Sequence, residues 1–216
     1  MFITFEGTEG SGKSTQIKTI YSTLQRAGYD VLLTREPGGT AIGDQIRALL
    51  LDHAESQHMH PRAELLLFCA SRAQLVGELI RPHLERGGVV LCDRYADSTL
   101  AYQGYGHGLP VAELKQILQF ATGGLYPHLT IYLDLSPARG LQRRRQGQLF
   151  GEDWNRLDDM ELAFHQRVYD GYQTIIAEDE ARFIRIDADQ TITQVQADIK
   201  TQLIGRLPDA NAKKTQ

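Results

Sequence analysis

The first part of the chain with residues that could do chemistry is a glycine-rich segment at residues 7–15, which reads Gly-Thr-Glu-Gly-Ser-Gly-Lys-Ser-Thr. It fits the pattern G-x-x-x-x-G-K-[ST], follows a short β-rich run and precedes a helical pattern. Glycines let backbone N–H groups close around phosphate oxygens, and the N-terminus of the following helix favours an anion. In this chemistry Lys13 contacts the β- and γ-phosphates and Ser14 binds Mg²⁺. The segment therefore predicts a site for a nucleoside triphosphate.

The elements that must position this segment form an alternating β-α pattern. Five short apolar runs, predicted as strands, lie at residues 2–5, 31–34, 89–92, 129–133 and 183–186. Their nearly continuous apolar character is typical of strands covered on both faces, so we expect a parallel sheet. Candidate helices lie at about 13–27, 41–51, 62–86, 95–103, 110–122, 136–146, 157–177 and 190–205. This alternation predicts right-handed crossovers and a three-layer α/β/α sandwich.

Polar residues follow each predicted strand, and in such folds ligands bind beyond the carboxyl ends of the strands. The segments concerned are residues 6–9, 35–39, 93–95, 134–136 and 187–188, and they concentrate carboxylates, arginines and glycines at one edge of the sheet. A polar, glycine-containing stretch at 147–153 joins two helical patterns and is predicted to be a mobile flap. Pro82 is expected to kink or interrupt the helix at 62–86.

Composition limits the classes of protein that the chain can be. A chain of 216 residues suits one α/β domain, predicted at 1–206 with a disordered tail at 207–216. The net charge of −4 lacks the basic excess of a protein held on nucleic acid by phosphate contacts. The two cysteines, Cys69 and Cys92, are too few for a disulfide scaffold. Without a signal peptide or an apolar run of about 18 residues, the expected location is the cytoplasm, with no membrane contact.

Five motifs together resemble those of the bacterial thymidylate kinases. They lie at residues 5–15, 34–40, 67–72, 93–95 and 98–103, and the resemblance extends from about residue 2 to 205. It implies the P-loop NTPase fold with a five-stranded parallel sheet, and transfer of the γ-phosphoryl group of ATP to dTMP, giving dTDP and ADP for dTTP synthesis. It also implies Mg²⁺ as cofactor and a homodimer.

The resemblance assigns residues to the donor side of the reaction. The residues implied to bind ATP are Gly7, Thr8, Glu9, Gly10, Ser11, Gly12, Lys13, Ser14, Thr15 and Arg143, and the metal would be held by Ser14 and Asp93. The implied catalytic set is Lys13, Asp93, Arg94 and Arg145. The phosphate loop itself has no arginine, because Glu9 and Gly10 occupy the place where some family members carry one. The resemblance therefore moves the catalytic arginine to a lid at about 139–156.

Within that lid the choice of arginine stays open. Arg143 matches the adenine-side arginine and Arg145 the catalytic one, while Arg156 is a second candidate for the phosphate. Arg139 and Arg144 are equally compatible with an exposed helical face, because runs of charge are usually solvated.

The acceptor side is implied in the same way. The residues implied to bind dTMP are Glu9, Arg35, Phe68, Arg72, Arg94, Ser98, Thr99, Tyr102 and Gln103. Phe68 would stack on thymine and Arg72 would donate to a keto oxygen such as O4; the two share a helix face at i and i+4. Phe68 taken alone could equally be a core aromatic. Arg94 and Arg35 would bind the phosphate.

The remaining acceptor residues are assigned to the base and the sugar. Glu9 would meet the 3′-hydroxyl, Thr99 and Gln103 would bond the base edge, and Tyr102 would lie against the sugar and exclude a 2′-hydroxyl. Pro37 is expected to hold a tight turn, and whether its peptide bond is cis stays open.

The sequence fits two other kinds of site less well. A GTPase switch requires N-K-x-D and D-x-x-G, but residues 155–158 read Asn-Arg-Leu-Asp and no D-x-x-G occurs. The spacing of His53, His58 and His60 suggests a metal site. No cysteine or further ligand lies nearby, however, and a zinc site needs at least three protein ligands, so surface histidines are the favoured interpretation. The alternatives left open are a related kinase with another acceptor, such as dUMP, and a non-catalytic ATP-binding regulatory protein.

Overall fold

The computed structural model describes residues 1–51, 58–149 and 157–207. Its strands are β1 Phe2–Glu6, β2 Val31–Arg35, β3 Val89–Asp93, β4 Leu129–Asp134 and β5 Phe183–Asp187. They form one parallel sheet in the order β2-β3-β1-β4-β5. Each strand is the predicted apolar run extended by one charged residue at its carboxyl end. The predicted five-stranded parallel sheet is therefore confirmed, and its charged residues lie at one edge.

Helices cover both faces of the sheet. They are α1 Lys13–Arg26, α2 Ala41–Leu51, α3 Pro61–Leu75, α4 Arg81–Glu85, α5 Ala96–Thr99, α6 Val111–Thr122, α7 Pro137–Leu149, α8 Leu162–Glu178 and α9 Ile192–Ile204. Two π-helical segments, Val76–Ile80 and Leu100–Gly106, and a 3₁₀ turn, Glu180–Arg182, complete the described elements. The first π segment joins α3 to α4 and ends two residues before Pro82, whose ring nitrogen has no N–H to donate to the preceding turn.

Alternation along the strands divides the core into two layers. Phe2 of β1 packs in the cluster that includes Leu75 of α3 and Tyr172 of α8. The next residue, Ile3, packs on the opposite face in the cluster that includes Ile17 of α1 and Ile199 of α9. Successive strand side chains point to opposite faces, so both faces of β1 are buried and the three-layer prediction is confirmed.

Two expected boundaries differ from the structure. Helix α8 begins at Leu162 rather than near 157, and Asp158, which precedes it in a turn, has its carboxylate bound by Arg144. Helix α7 extends to Leu149, so the first residues of the predicted flap at 147–153 are helical. The rest of that flap and the predicted tail, apart from residue 207, lie outside the described residues. Within the described part of the chain, no helix is both long and apolar enough to cross a bilayer.

The glycine-rich loop packs directly against α7. Gly10 has φ of 69°, in the left-handed region, and a Cβ atom there would overlap the carbonyl oxygen of Gly140. A Cβ atom at Gly140 would in turn overlap the carbonyl oxygen of Glu9. The close approach of loop and helix therefore requires glycine on both sides.

We expect Gly140→Ala to lower the free energy of unfolding by about 1–3 kcal/mol, because overpacking at the loop outweighs the better helix propensity of alanine. Gly77→Ala is the matched control, since a Cβ atom there meets nothing within 4 Å. It should raise the free energy of unfolding by about 0.5–1 kcal/mol. Urea unfolding measures both, and a Gly140→Ala variant as stable as the parent protein would contradict the packing argument.

Candidate active site

A cavity of about 800 Å³ opens at the carboxyl ends of β1, β2 and β3. Most of the predicted site residues line it: Glu9, Gly10, Gly12, Lys13, Ser14, Thr15, Arg35, Phe68, Arg72, Asp93, Arg94, Ser98, Thr99, Tyr102, Gln103 and Arg143. Gly7, Thr8 and Ser11 are part of the glycine-rich loop but do not line the cavity. Arg145 does not line this cavity. The fold thus brings residues from six segments of the chain to one place.

The glycine-rich loop is held in shape by its own polar groups. Gly7, Gly10 and Gly12 all have positive φ, which glycine adopts without steric cost. The Thr8 hydroxyl donates to the carbonyl of Leu135 (3.1 Å), and the Ser11 hydroxyl donates to the carbonyl of Thr8 (2.8 Å). Thr8 and Ser11 therefore stabilise the loop, which leads into the N-terminus of α1.

Lys13 lies inside this loop. Its ammonium group donates to the carbonyls of Gly7 (2.9 Å) and Thr8 (2.8 Å) and to the Ser11 hydroxyl (3.2 Å). Burial, followed by the nearby Arg94 guanidinium, lowers the pKa of Lys13 to about 8, although neighbouring carboxylates such as Asp93 oppose the shift. Lys13 is therefore still charged at neutral pH.

Ser14 and Asp93 meet across the cavity from different elements. The Ser14 hydroxyl at the start of α1 donates to Oδ2 of Asp93 at the end of β3, at 2.6 Å. A hydroxyl and a carboxylate beside a phosphate loop are hard oxygen ligands of the kind Mg²⁺ uses, and Mg²⁺ takes few protein ligands. The described residues contain no cluster of three or more His, Cys, Asp or Glu suited to a metal, so a cage made wholly of such side chains is not present there.

Arg94 joins the loop to the rest of the cavity. Its backbone has φ of 68°, which is uncommon for a residue with a side chain, and its N–H donates to the carbonyl of Phe5 (3.0 Å). Its guanidinium donates to the Gly7 carbonyl (3.2 Å), the Ser98 hydroxyl (3.2 Å) and Oε1 of Glu9 (3.0 Å). Backbone strain at a site is typical of a residue placed for function.

Glu9 accepts from three directions. The Tyr102 hydroxyl donates to its carboxylate at 2.6 and 2.7 Å, Arg94 forms an ion pair, and Nδ1 of His165 lies 3.5 Å from Oε2. Burial alone would raise the pKa of Glu9, but Arg94, the His165 hydrogen bond and Lys13 together lower it well below its usual value. The Glu9 carboxylate is therefore ionised and fixed in orientation.

The opposite end of the cavity is built on α3. Phe68 and Arg72 both line it, as their i, i+4 spacing predicts. Arg72 is only 1% exposed and forms an ion pair with Glu36, Nε to Oε2 at 2.8 Å, while its Nη1 donates to the Thr99 hydroxyl (3.0 Å). Burial raises the pKa of Glu36, and the Arg72 guanidinium opposes that shift. The Glu36–Pro37 peptide bond, left open by the sequence, is cis.

The arginines of α7 separate onto different faces. Arg143 lines the cavity and donates to the Ala188 carbonyl (2.9 Å), and Arg144 also lines it, bonded to both carboxylate oxygens of Asp158 at 3.0 and 2.7 Å. Arg139 pairs with Asp189 at 3.1 Å. Arg145 instead lines a separate cleft with Leu141 and Leu162. Arg156 lies outside the described residues.

Sequence reasoning missed several residues that hold the cavity together. Arg47 and Lys18 line it, and Asp44 forms an ion pair at 3.2 Å with the predicted Arg35 at its exposed margin. Glu36 lines the cavity as well. Other missed residues act behind the lining, among them Glu6, Glu64, His165 and Tyr172. Glu36 stood within a quoted motif and Glu64 stands one turn before Phe68, so both had a signal. His165 and Tyr172 had none, because α8 is distant in sequence.

An all-parallel sheet with a G-x-x-x-x-G-K-[ST] loop after its first strand defines the P-loop NTPase fold. The sequence model of the family described as thymidylate kinase matches residues 5–199. A thymidylate kinase from Roseiflexus sp. (strain RS-1) is 56% identical over 200 residues, covering 89% of this chain and 88% of the relative. One from Exiguobacterium sp. (strain ATCC BAA-1283 / AT1b) is 46% identical and covers 99% of both chains.

A solved structure agrees with the sequence relatives. The crystal structure of thymidylate kinase from Ehrlichia chaffeensis superimposes with a TM-score of 0.74 at 32% identity, covering 94% of this chain and 98% of that one. The chain belongs to the thymidylate kinase family. Its activity is phosphoryl transfer from ATP to dTMP, giving dTDP and ADP, as the resemblance implied.

The lowered pKa of Lys13 predicts an alkaline limit on activity. Because the group is charged below about pH 8 and neutral above it, kcat/KM for ATP should fall by about tenfold per pH unit above that value. Lys13→Arg should keep its charge, so its residual activity should show no decline near pH 8. Initial rates from pH 6 to 10 with saturating dTMP test this. A wild-type profile that stays level up to pH 10 would contradict the assignment.

Proposed function

We propose that the two nucleotides meet in this one cavity, with the ATP phosphates in the loop at residues 7–15 and dTMP between Phe68 and Arg94. The observation that carries the proposal is that a single cavity of about 800 Å³ is lined by Lys13 and Ser14 at one end and by Phe68 and Arg72 at the other. Direct in-line transfer needs the two phosphates close together, and a shared cavity permits this.

On the donor side, backbone N–H groups of the loop and Lys13 bind the ATP phosphates. Arg143 is the adenine-side arginine, a role supported by its position beside Ala188 and Asp189 at the end of β5. Ser14 and Asp93 would hold a Mg²⁺ ion, and their oxygen atoms and mutual contact support this. When bound, Mg²⁺ neutralises charge on the phosphate oxygens. Asp93 accepts from Ser14 of the loop and directly precedes Arg94 in the chain, so it links the metal site to the acceptor side.

On the acceptor side, Phe68 stacks on thymine and Arg72 donates to a keto oxygen. Arg94 binds the acceptor phosphate with Arg35 as a second cation, and Ser98 and Tyr102 line the path between base and phosphate. The Glu9 carboxylate accepts from the 3′-hydroxyl, since it is ionised and already oriented by Tyr102 and Arg94.

Catalysis rests on positioning and on positive charge rather than on a protein nucleophile. Lys13 and Arg94 surround the place where the migrating phosphoryl group must pass, and both are held by hydrogen bonds to the Gly7 carbonyl. Preorganised donors of this kind need little rearrangement as charge develops in the transition state. Closure of the lid supplies a further arginine and excludes water as a competing acceptor.

We expect Arg144 to be that further arginine, in place of Arg145, because Arg144 lines the cavity and Arg145 faces a separate cleft. Arg144→Ala should lower kcat by about 10²-fold or more, as loss of a transition-state donor does. Arg145→Ala, on the neighbouring position of the same helix, is the matched control and should change kcat by less than about threefold. Steady-state ADP release measures both. The reverse order of effects would restore Arg145 to the catalytic role.

A coupled ADP-release assay tests the whole assignment. With Mg-ATP, the enzyme should phosphorylate dTMP, should use dUMP less well by about 10-fold or more because it lacks one methyl contact, and should turn over dCMP, dGMP and thymidine far more slowly than dTMP. Lys13→Ala should abolish turnover while the circular dichroism spectrum stays that of the parent. ADP release without an acceptor, or wild-type activity of Lys13→Ala, would overturn the site.

We also propose that the enzyme is a cytoplasmic homodimer that binds neither nucleic acid nor membrane. Apolar side chains on α3 and α6 support the dimer, since Leu66 is 59% exposed and Phe120 is 90% exposed. Free, buried Cys69 and Cys92 are compatible with a reducing compartment. Sedimentation equilibrium should give twice the chain mass of 24.2 kDa, and a monomer mass at micromolar concentration would contradict the dimer.

A further inference from the structure

Helix α3 carries three polar or aromatic residues on one face, four positions apart: Glu64, Phe68 and Arg72. Phe68 and Arg72 line the cavity, whereas Glu64 lies behind it and is only 1% exposed. Residues at i, i+4 and i+8 fall along one stripe of a helix. A buried carboxylate on the same stripe as two substrate-facing residues needs an explanation, because isolated buried charges are costly.

One partner of Glu64 is a residue of the cavity wall. Nε2 of Gln103, in the π segment Leu100–Gly106, donates to Oε1 of Glu64 at 2.7 Å. Nε2 of His107 lies 3.4 Å from the same oxygen. Gln103 lines the cavity although it is only 2% exposed. The contact is therefore made behind the lining, by the half of the amide that faces away from the cavity.

This contact fixes the orientation of the Gln103 amide. Its NH₂ group donates to the Glu64 carboxyl oxygen, so its carbonyl oxygen points the other way. Within the described part of the chain, no donor reaches that oxygen, Oε1 of Gln103. The cavity wall thus presents both a hydrogen-bond acceptor, at Gln103, and a donor, the guanidinium of Arg72.

We propose that Glu64 is a positioning residue that sets the specificity for the pyrimidine, by holding Gln103 with its carbonyl oxygen towards N3 of the base. This rests on the proposed place of the base between Phe68 and Arg72. Glu64 itself does not contact the substrate; it acts through the orientation of one amide.

The pairing follows from the edges of the two pyrimidines. Thymine offers an N3–H donor next to its O4 acceptor, so it matches the Gln103 oxygen and the Arg72 guanidinium at both positions. Cytosine offers an N3 acceptor next to a 4-amino donor. Two acceptors would then face each other at Gln103, and two donors at Arg72. A Gln103 amide free to rotate by 180° would offer its NH₂ group to cytosine N3 and remove one of the two mismatches. Glu64 prevents that rotation.

The test compares dTMP with 5-methyl-dCMP, which keeps the methyl group and changes only the edge that is read. The measured quantity is the ratio of the two kcat/KM values with saturating Mg-ATP. In Glu64→Leu we expect this ratio to fall about tenfold, mainly through a higher KM for dTMP and a lower KM for 5-methyl-dCMP. The kcat for dTMP and the KM for ATP should change by less than about twofold.

A matched control is available elsewhere in the chain. Nε2 of Gln74 donates to Oε2 of Glu78 at 2.7 Å, the same amide-to-carboxylate pair in an exposed position that does not line the cavity. Glu78→Leu should leave the ratio unchanged. A fall in the ratio of the same size in Glu78→Leu would overturn the proposal, because the effect would not then depend on the cavity.

Two further variants separate positioning from folding. Glu64→Gln keeps the size of the side chain, and because an amide can accept or donate, we expect a smaller fall in the ratio with thermal unfolding close to that of the parent. Gln103→Ala should lower the ratio by itself, and adding Glu64→Leu or Glu64→Gln to it should then have no further effect. The cycle with Glu64→Gln thus gives the coupling of the two residues even if Glu64→Leu unfolds.

The possible failures are distinguishable. If Gln103→Ala phosphorylates dTMP with an unchanged ratio, Gln103 does not read the base, and the proposed base site fails with the inference. If Gln103→Ala lowers the ratio but neither Glu64 variant does, the site stands and the role of Glu64 is wrong. An equal effect of the Glu64 change with and without Gln103 would also overturn it, since Glu64 would not be acting through that amide.

Discussion

The ion pair between Glu9 and Arg94 is the interaction on which the geometry of the cavity depends. It joins the loop after β1 to the residue after β3, with Nη2 of Arg94 at 3.0 Å from Oε1 of Glu9. The same guanidinium also donates to the Gly7 carbonyl, which accepts from Lys13 as well. Loss of either partner would leave a charge without its counter-ion in a largely buried site, which is strongly unfavourable. The donor loop and the acceptor side of a thymidylate kinase are in this way held at a fixed separation.

Around that pair, charged groups in and behind the cavity wall have partners from other elements. Glu36 from the segment after β2 meets Arg72 of α3, and Glu64 of α3 meets Gln103 of the π segment. Such contacts hold donors and acceptors in place before substrate arrives, which is the form of electrostatic preorganisation that phosphoryl transfer requires. The rigidity of the wall and the specificity of the site therefore have the same physical origin.

Much of this arrangement could be predicted from local sequence. The strands were found because they are short apolar runs, and Phe68 and Arg72 were placed together because a helix brings i and i+4 to one face. The prediction was weakest for pairs of distant residues. His165 lies beside Glu9 although 156 positions separate them, and nothing local in α8 points to that contact.

The sequence by itself determined the phosphate loop, the parallel α/β sandwich and the charged residue at the end of each strand, since these follow from glycine stereochemistry and apolar periodicity. Only the tertiary structure decided which arginine of α7 faces the cavity. Arg143, Arg144 and Arg145 are chemically equivalent neighbours, but successive helix residues differ in direction by about 100°, as 3.6 residues per turn require. The packing of α7 against the loop at Gly10 and its contact with Asp158 set that direction. A run of identical arginines in the sequence cannot show which of them points towards the cavity.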